Sequence, residues 1–148
     1  MELELLPTDE QHAALSATLT SVNGLANQLL AQFERRGTTV STKELRAAAR
    51  AEGSGLSPKL VAEAVRKAED ALGLAASKST RYRPHQAIHY PVGAVKWKAG
   101  KAAMPTARGT RAIPIRQPSG GFGGLKPPLD DNAVELVERA GQFFLVLP

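Results

Sequence analysis

The chain of 148 residues contains no cysteine, which excludes structural disulfides and thiolate-held zinc. It has no apolar run near the roughly 18 residues that a membrane-spanning helix needs. The opening MELELLPTDE is acidic and lacks the basic-then-apolar layout of a secretory leader. These absences suggest a soluble, cytoplasmic chain with no membrane partner. A fourth absence is local: residues 71–129 hold no Asp or Glu at all.

That acid-free stretch carries Lys78, Arg81, Arg83, Lys96, Lys98, Lys101, Arg108, Arg111, Arg116 and Lys126. Residues 1–70 sum to −2 and residues 130–148 to −3, so the net charge of +5 belongs to the middle of the chain. Soluble surfaces usually mix both signs, and one-sided charge points to a polyanionic partner. The composition is otherwise that of a globular protein, with 43% apolar and 22% charged residues.

Along the chain, Leu3 and Leu5 alternate with Glu2 and Glu4 as a short strand does, and Pro7 stops it. TDEQ, from Thr8 to Gln11, is a capping-box pattern. The stripe Leu15, Leu19, Val22, Leu25, Ala26, Leu29, Phe33 behind it predicts an amphipathic helix to about Arg36, ended by Gly37. STKE at Ser41 opens a second helix ending near Gly53. A third begins at Ser57 with Pro58 in its first turn and closes at Gly73. After Lys78 the period shortens, and QAIHY, AVKWK, KAAMP, RAIPI, NAVELVER and QFFLVL read as strands. KAGK and RAGQ place Gly100 and Gly141 at three- or four-residue hairpin loops.

A lone first strand cannot satisfy its backbone groups, so it should pair with the late strands. The expected fold is α+β: a small antiparallel β-barrel, OB-like, with a three-helix insertion after the first strand. The barrel would take residues 1–7 and 79–148, the insertion residues 8–78.

No nucleophile elbow, phosphate loop or metal-ligand spacing is present, and no cofactor is expected. SGGFGGLK lacks the order of a phosphate-binding loop. His85 and His89 lie on strand residues with no third ligand, and Asp130 and Asp131 fit a turn. The chemistry left is cationic. Arg81, Arg83, Lys96, Lys98, Lys101, Arg108 and Arg111 are candidate phosphate contacts, with Tyr82 and Tyr90 as candidate base-stacking rings. Alternation in AVKWK puts Lys96 and Lys98 on one face and Trp97 on the other, toward the core.

The order of these pieces resembles the N-terminal half of TnpB, the OrfB protein of insertion sequences, an RNA-guided nuclease family related to type V CRISPR effectors. The resemblance rests on LELLPTDEQHAAL…VNGLANQLL, LSPKLVAEAVRKAEDAL, YRPHQAIHYPVGAVKW, GTRAIPI and AVELVERAGQFFLVL. It implies that the barrel acts as a wedge domain and the helical insert as a recognition lobe, gripping guide RNA or the guide–target duplex. RNA is then the expected partner, with DNA second. The family's nuclease domain and zinc motif would come after Pro148, so cleavage is not expected of this polypeptide. A different expectation is a protein-interaction module that docks a separate nuclease half through the third helix and QFFLVL, or a decayed, truncated product.

Overall fold

The computed structural model describes residues 1–36, 40–52, 54–74, 81–119, 121–122 and 126–148. Lys78 and the expected helix stops Gly37 and Gly53 lie outside them. A short strand β1 (Glu2–Glu4) precedes three helices, α1 (Asp9–Phe33), α2 (Thr42–Ala51) and α3 (Pro58–Leu74). Six strands follow: β2 (Ile88–Tyr90), β3 (Lys96–Lys98), β4 (Lys101–Thr106), β5 (Gly109–Pro114), β6 (Val134–Arg139) and β7 (Gln142–Val146).

Both expected capping boxes form. The Thr8 hydroxyl accepts from the Gln11 amide while the Gln11 side chain accepts from Thr8 N–H, and Ser41 and Glu44 do the same for α2. The Ser57 hydroxyl ahead of α3 is buried and makes no hydrogen bond among the described residues. Gly73 does not close α3, which runs on to Leu74.

The α+β class with a helical insert after the first strand is as expected, but the strands form two antiparallel sheets rather than a closed barrel. One runs β1-β7-β6-β2 and the other β3-β4-β5. They meet where β1 ends: Leu5 bridges Ile115, Leu6 N–H donates to the Pro114 carbonyl, and Arg116 N–H donates to the Glu4 carbonyl. The first strand therefore finds its partners among the last elements, as its backbone requires. Closure would need β3 to offer its free edge. That edge is blocked, because the outward Trp97 N–H is bonded to the Asp130 carboxylate at 2.7 Å.

The hairpins differ from expectation in length. Both loops have two residues, Ala99-Gly100 and Ala140-Gly141, with φ of 51° and 82° in each. Positive φ at both positions is the type I′ geometry, whose twist matches the flanking strands. Alanine in that region costs about 1–2 kcal/mol relative to its normal conformations.

Helices and sheets share one core. Leu15, Leu19, Val22 and Leu29 of α1 pack with Leu60, Ala64 and Ala68 of α3 and with Ile88, Met104, Ile113 and Leu136 from the strands. Polar bonds fix α1 on the β4–β5 hairpin. Gln11 Nε2 donates to the Ala112 carbonyl at 2.9 Å, and Thr18 Oγ1 accepts from Ala107 N–H at 2.8 Å. Two α1 asparagines one turn apart hold the chain entering β2. Asn27 exchanges two bonds with the Tyr82 backbone (2.8 and 2.9 Å), and Asn23 Nδ2 donates to the carbonyls of Pro84 and Gln86.

Candidate nucleic-acid interface

Folding divides the nine described cations of the acid-free segment into two groups. Acids from the first third of the chain claim several. Arg81 pairs with Glu34 at 2.9 Å, Arg111 with Glu10 at 3.1 Å and Arg116 with Glu4 at 3.3 Å. Lys126 pairs with Asp130 at 3.1 Å. Arg81 and Arg111, both expected to touch phosphate, are thus already held by carboxylates, and a ligand would have to displace Glu34 and Glu10.

Lys96, Lys98, Lys101, Arg83 and Arg108 are exposed, and among the described residues none of them makes an ion pair. The structure brings the three lysines together. Antiparallel register sets Lys98 directly opposite Lys101 and Lys96 opposite Ala103. Side chains two apart on a strand share a face, so all three point from the outer surface of the β3–β4 hairpin. The rest of that face is small: Ala103, Pro105, Ala112 and Pro114 lie on it, half-buried, while Ala102, Met104 and Ile113 turn to the core. Trp97 turns inward too and meets Phe122 edge-on at 5.7 Å, as its alternation with the lysines predicts. The acid beside the cluster, Asp130, is bonded to the Trp97 amide first and to Lys126 second, and these, with the nearby Lys96 charge, hold its pKa below the ordinary carboxylate value.

Arg83 and Arg108 stand elsewhere. Arg108 sits in the β4–β5 turn, at the other end of the sheet from Lys101. Arg83 lines a pocket of about 420 Å³ with Pro84, His85, Gln86 and Glu138.

The base-stacking expectation fails at Tyr90. The residue is 1% exposed, its hydroxyl donates to the Pro105 carbonyl at 2.6 Å, and burial raises its pKa, so no ring face is open to a base. Tyr82 is half-buried. The Lys67 ammonium lies 4.2 Å from its ring centre, and its hydroxyl donates to the Lys67 carbonyl. The segments expected to dock a partner turn many of their apolar side chains inward, with Phe144 and Val146 half-buried. Phe143, Leu145 and Leu147 of QFFLVL are buried, as are Leu60, Ala64 and Ala68 of α3. The exposed large apolar side chains among the described residues are Met1 and Leu6 at the N-terminal end and Val92.

One cluster escaped the sequence reading. Glu63, 4% exposed on α3, accepts from His89 N–H at 2.6 Å and from the Arg66 guanidinium at 2.6 and 2.9 Å. Arg66 also donates to His89 Nδ1 at 2.9 Å. Arginine only donates, so Nδ1 is the acceptor in that contact, and Nε2 faces Glu135 at 2.7 Å. One turn past Glu63, Lys67 is buried, and loss of hydration lowers its pKa to about 8. The hint in the sequence was a Glu–Lys pair four residues apart inside an otherwise apolar helix face. This knot seals α3 to β2 and β6. Both His89 nitrogens are engaged, and among the described residues no group of three His, Asp or Glu could hold a metal. Among the same residues no helix is long and apolar enough to cross a membrane.

No protein-family model matches the chain, and no curated protein is similar to it.

Proposed function

We propose that this chain is a non-catalytic nucleic-acid-binding module that holds a phosphate backbone, foremost that of structured RNA, on the outer face of the β3–β4 hairpin. The observation that carries this reading is the register of Lys96, Lys98 and Lys101. Like charges set directly opposite across a hairpin destabilise it. Among the described residues none of these lysines forms an ion pair, although the Asp130 carboxylate lies near enough to Lys96 to feel its charge, while cations such as Arg111 and Arg116 have acids of their own. A bound polyphosphate relieves that repulsion and releases its counterions. The flat surface of Ala103, Pro105, Ala112 and Pro114 lets a backbone approach closely. Arg83 and Arg108 extend the grip, and Arg81 and Arg111 join it only by exchanging their carboxylates for phosphates. The wedge-like reading of the two sheets, with the helices as a recognition lobe of a TnpB-like protein, is part of this proposal. It draws support from the shared order of strand, helical insert and strands.

The test is binding of a structured RNA, a DNA duplex and single strands of equal length at two salt concentrations. The lysine-to-glutamate triple variant at positions 96, 98 and 101 serves as control. Loss of binding in the variant, with its fold intact, supports the reading. Equal binding by both proteins would leave the lysines as guards that keep a short edge strand from pairing with other chains, and the reading would fall.

A further inference from the structure

Charge summed along the sequence places nothing cationic in the helices, yet pairing in three dimensions does. Acids of residues 1–70 are drawn off: Glu4, Glu10 and Glu34 go to arginines of the strand segment, and Glu63 and Asp70 go to Arg66. What they leave behind is α2. Its one acid, Glu44, turns to the Ser41 amide and to Arg36 at 2.8 Å, which together lower its pKa. Lys43, Arg46 and Arg50 are exposed, and among the described residues none of them forms an ion pair. The next acid, Glu52, is the C-cap beyond the last turn.

At 3.6 residues per turn, these three positions fall within an arc of about 60°, exposed beside the buried stripe of Leu45 and Ala49. They span about 10 Å of helix axis, the rise of roughly three nucleotides of one strand. The row works against the helix that bears it. Arg46 and Arg50 are like charges four residues apart, and Lys43 and Arg46 three apart; both spacings are repulsive. Lys43 also lies in the first turn, where the helix dipole disfavours a cation. Only Arg50, in the last turn, helps the helix.

We infer that Lys43, Arg46 and Arg50 form a second phosphate-binding row, carried by the helical insert and contacting the same nucleic acid as the hairpin. This rests on the reading of the hairpin as a phosphate-binding face. The occupant is polyanionic because the row presents three cations with Ala47 between them and no apolar anchor.

The experiment compares the full chain with Lys43→Gln/Arg46→Gln/Arg50→Gln and with Lys96→Gln/Lys98→Gln/Lys101→Gln. Salt titrations with a labelled RNA hairpin and a labelled DNA duplex are the probes, and circular dichroism checks each fold. Glutamine keeps helix propensity, so α2 should form in the variant. The inference expects the α2 variant to bind about tenfold or more weakly near 0.1 M salt, and its slope of log affinity against log salt to shallow by about 2 to 3. Binding by the α2 variant equal to wild type overturns it while leaving the hairpin reading in place. Binding that depends on α2 but not on the hairpin lysines supports the row and overturns the hairpin reading. No salt-dependent binding by the wild-type chain overturns both.

Discussion

Lys98 and Lys101 face each other in direct register across the β3–β4 turn, two ammonium groups on one surface with no carboxylate paired to either among the described residues. That arrangement is unfavourable for the hairpin alone. Stability and binding should therefore respond to Lys98→Glu with opposite signs. The substitution creates a cross-strand ion pair and should stabilise the fold by about 0.2–1 kcal/mol in urea unfolding. It should also weaken nucleic-acid binding severalfold. A variant that loses both stability and binding would show that Lys98 serves the fold.

Asn27 holds the backbone of Tyr82 with two hydrogen bonds, just where the chain enters the sheets. Asn27→Ala leaves a part-buried amide and carbonyl without partners. A loss of about 1–3 kcal/mol is expected from urea unfolding. A loss below a few tenths would show that water replaces the side chain there.

The two alanines with positive φ are a second source of stored cost. Ala140→Asn should stabilise the protein by about 0.5–1 kcal/mol, because asparagine tolerates the left-handed region that the type I′ turn demands. Ala140 lies away from the lysine face, so nucleic-acid binding should not change. Unfolding midpoints and binding isotherms check both halves.

Lys67 gives a pH dependence with a definite sign. Burial lowers its pKa from 10.5 to about 8, so the folded protein disfavours the charged amine. Between about pH 8 and 10.5 the unfolded chain binds more protons than the folded one, and this group makes stability rise with pH. Below about pH 8 the cost of burying the charge is fully present. Lys67→Met removes the titration, so the stability of wild type relative to this variant should rise on going from about pH 7.5 to about pH 9.5. A difference that stays constant would show that the Lys67 ammonium is as well solvated in the fold as in the unfolded chain.

Much of the fold can be read from residue patterns, because its determinants are local. Capping boxes at Thr8 and Ser41, the α1 stripe and the six late strands depend on spacing alone, and each forms where its pattern lies. The pairing of β1 follows from the need of a lone strand for partners. The open arrangement of sheets is a tertiary matter, decided by contacts such as Asp130 on the Trp97 amide, between residues far apart in the chain. The site divides in the same way. Alternation places Lys96 and Lys98 on one face and Trp97 on the other, but no local rule pairs Arg111 with Glu10 across 101 residues or buries Tyr90 beneath Pro105. Segment charge misses the row on α2 because the acids that balance it on paper are spent elsewhere in space.

The most direct measurement is the affinity of the wild-type chain for a structured RNA as a function of salt, repeated with Lys96, Lys98 and Lys101 changed to glutamine. Three fewer phosphate contacts should shallow the log–log slope by about 2 to 3, whatever the sequence of the RNA. Identical slopes for the two proteins, or a wild-type affinity indifferent to salt, would contradict the account.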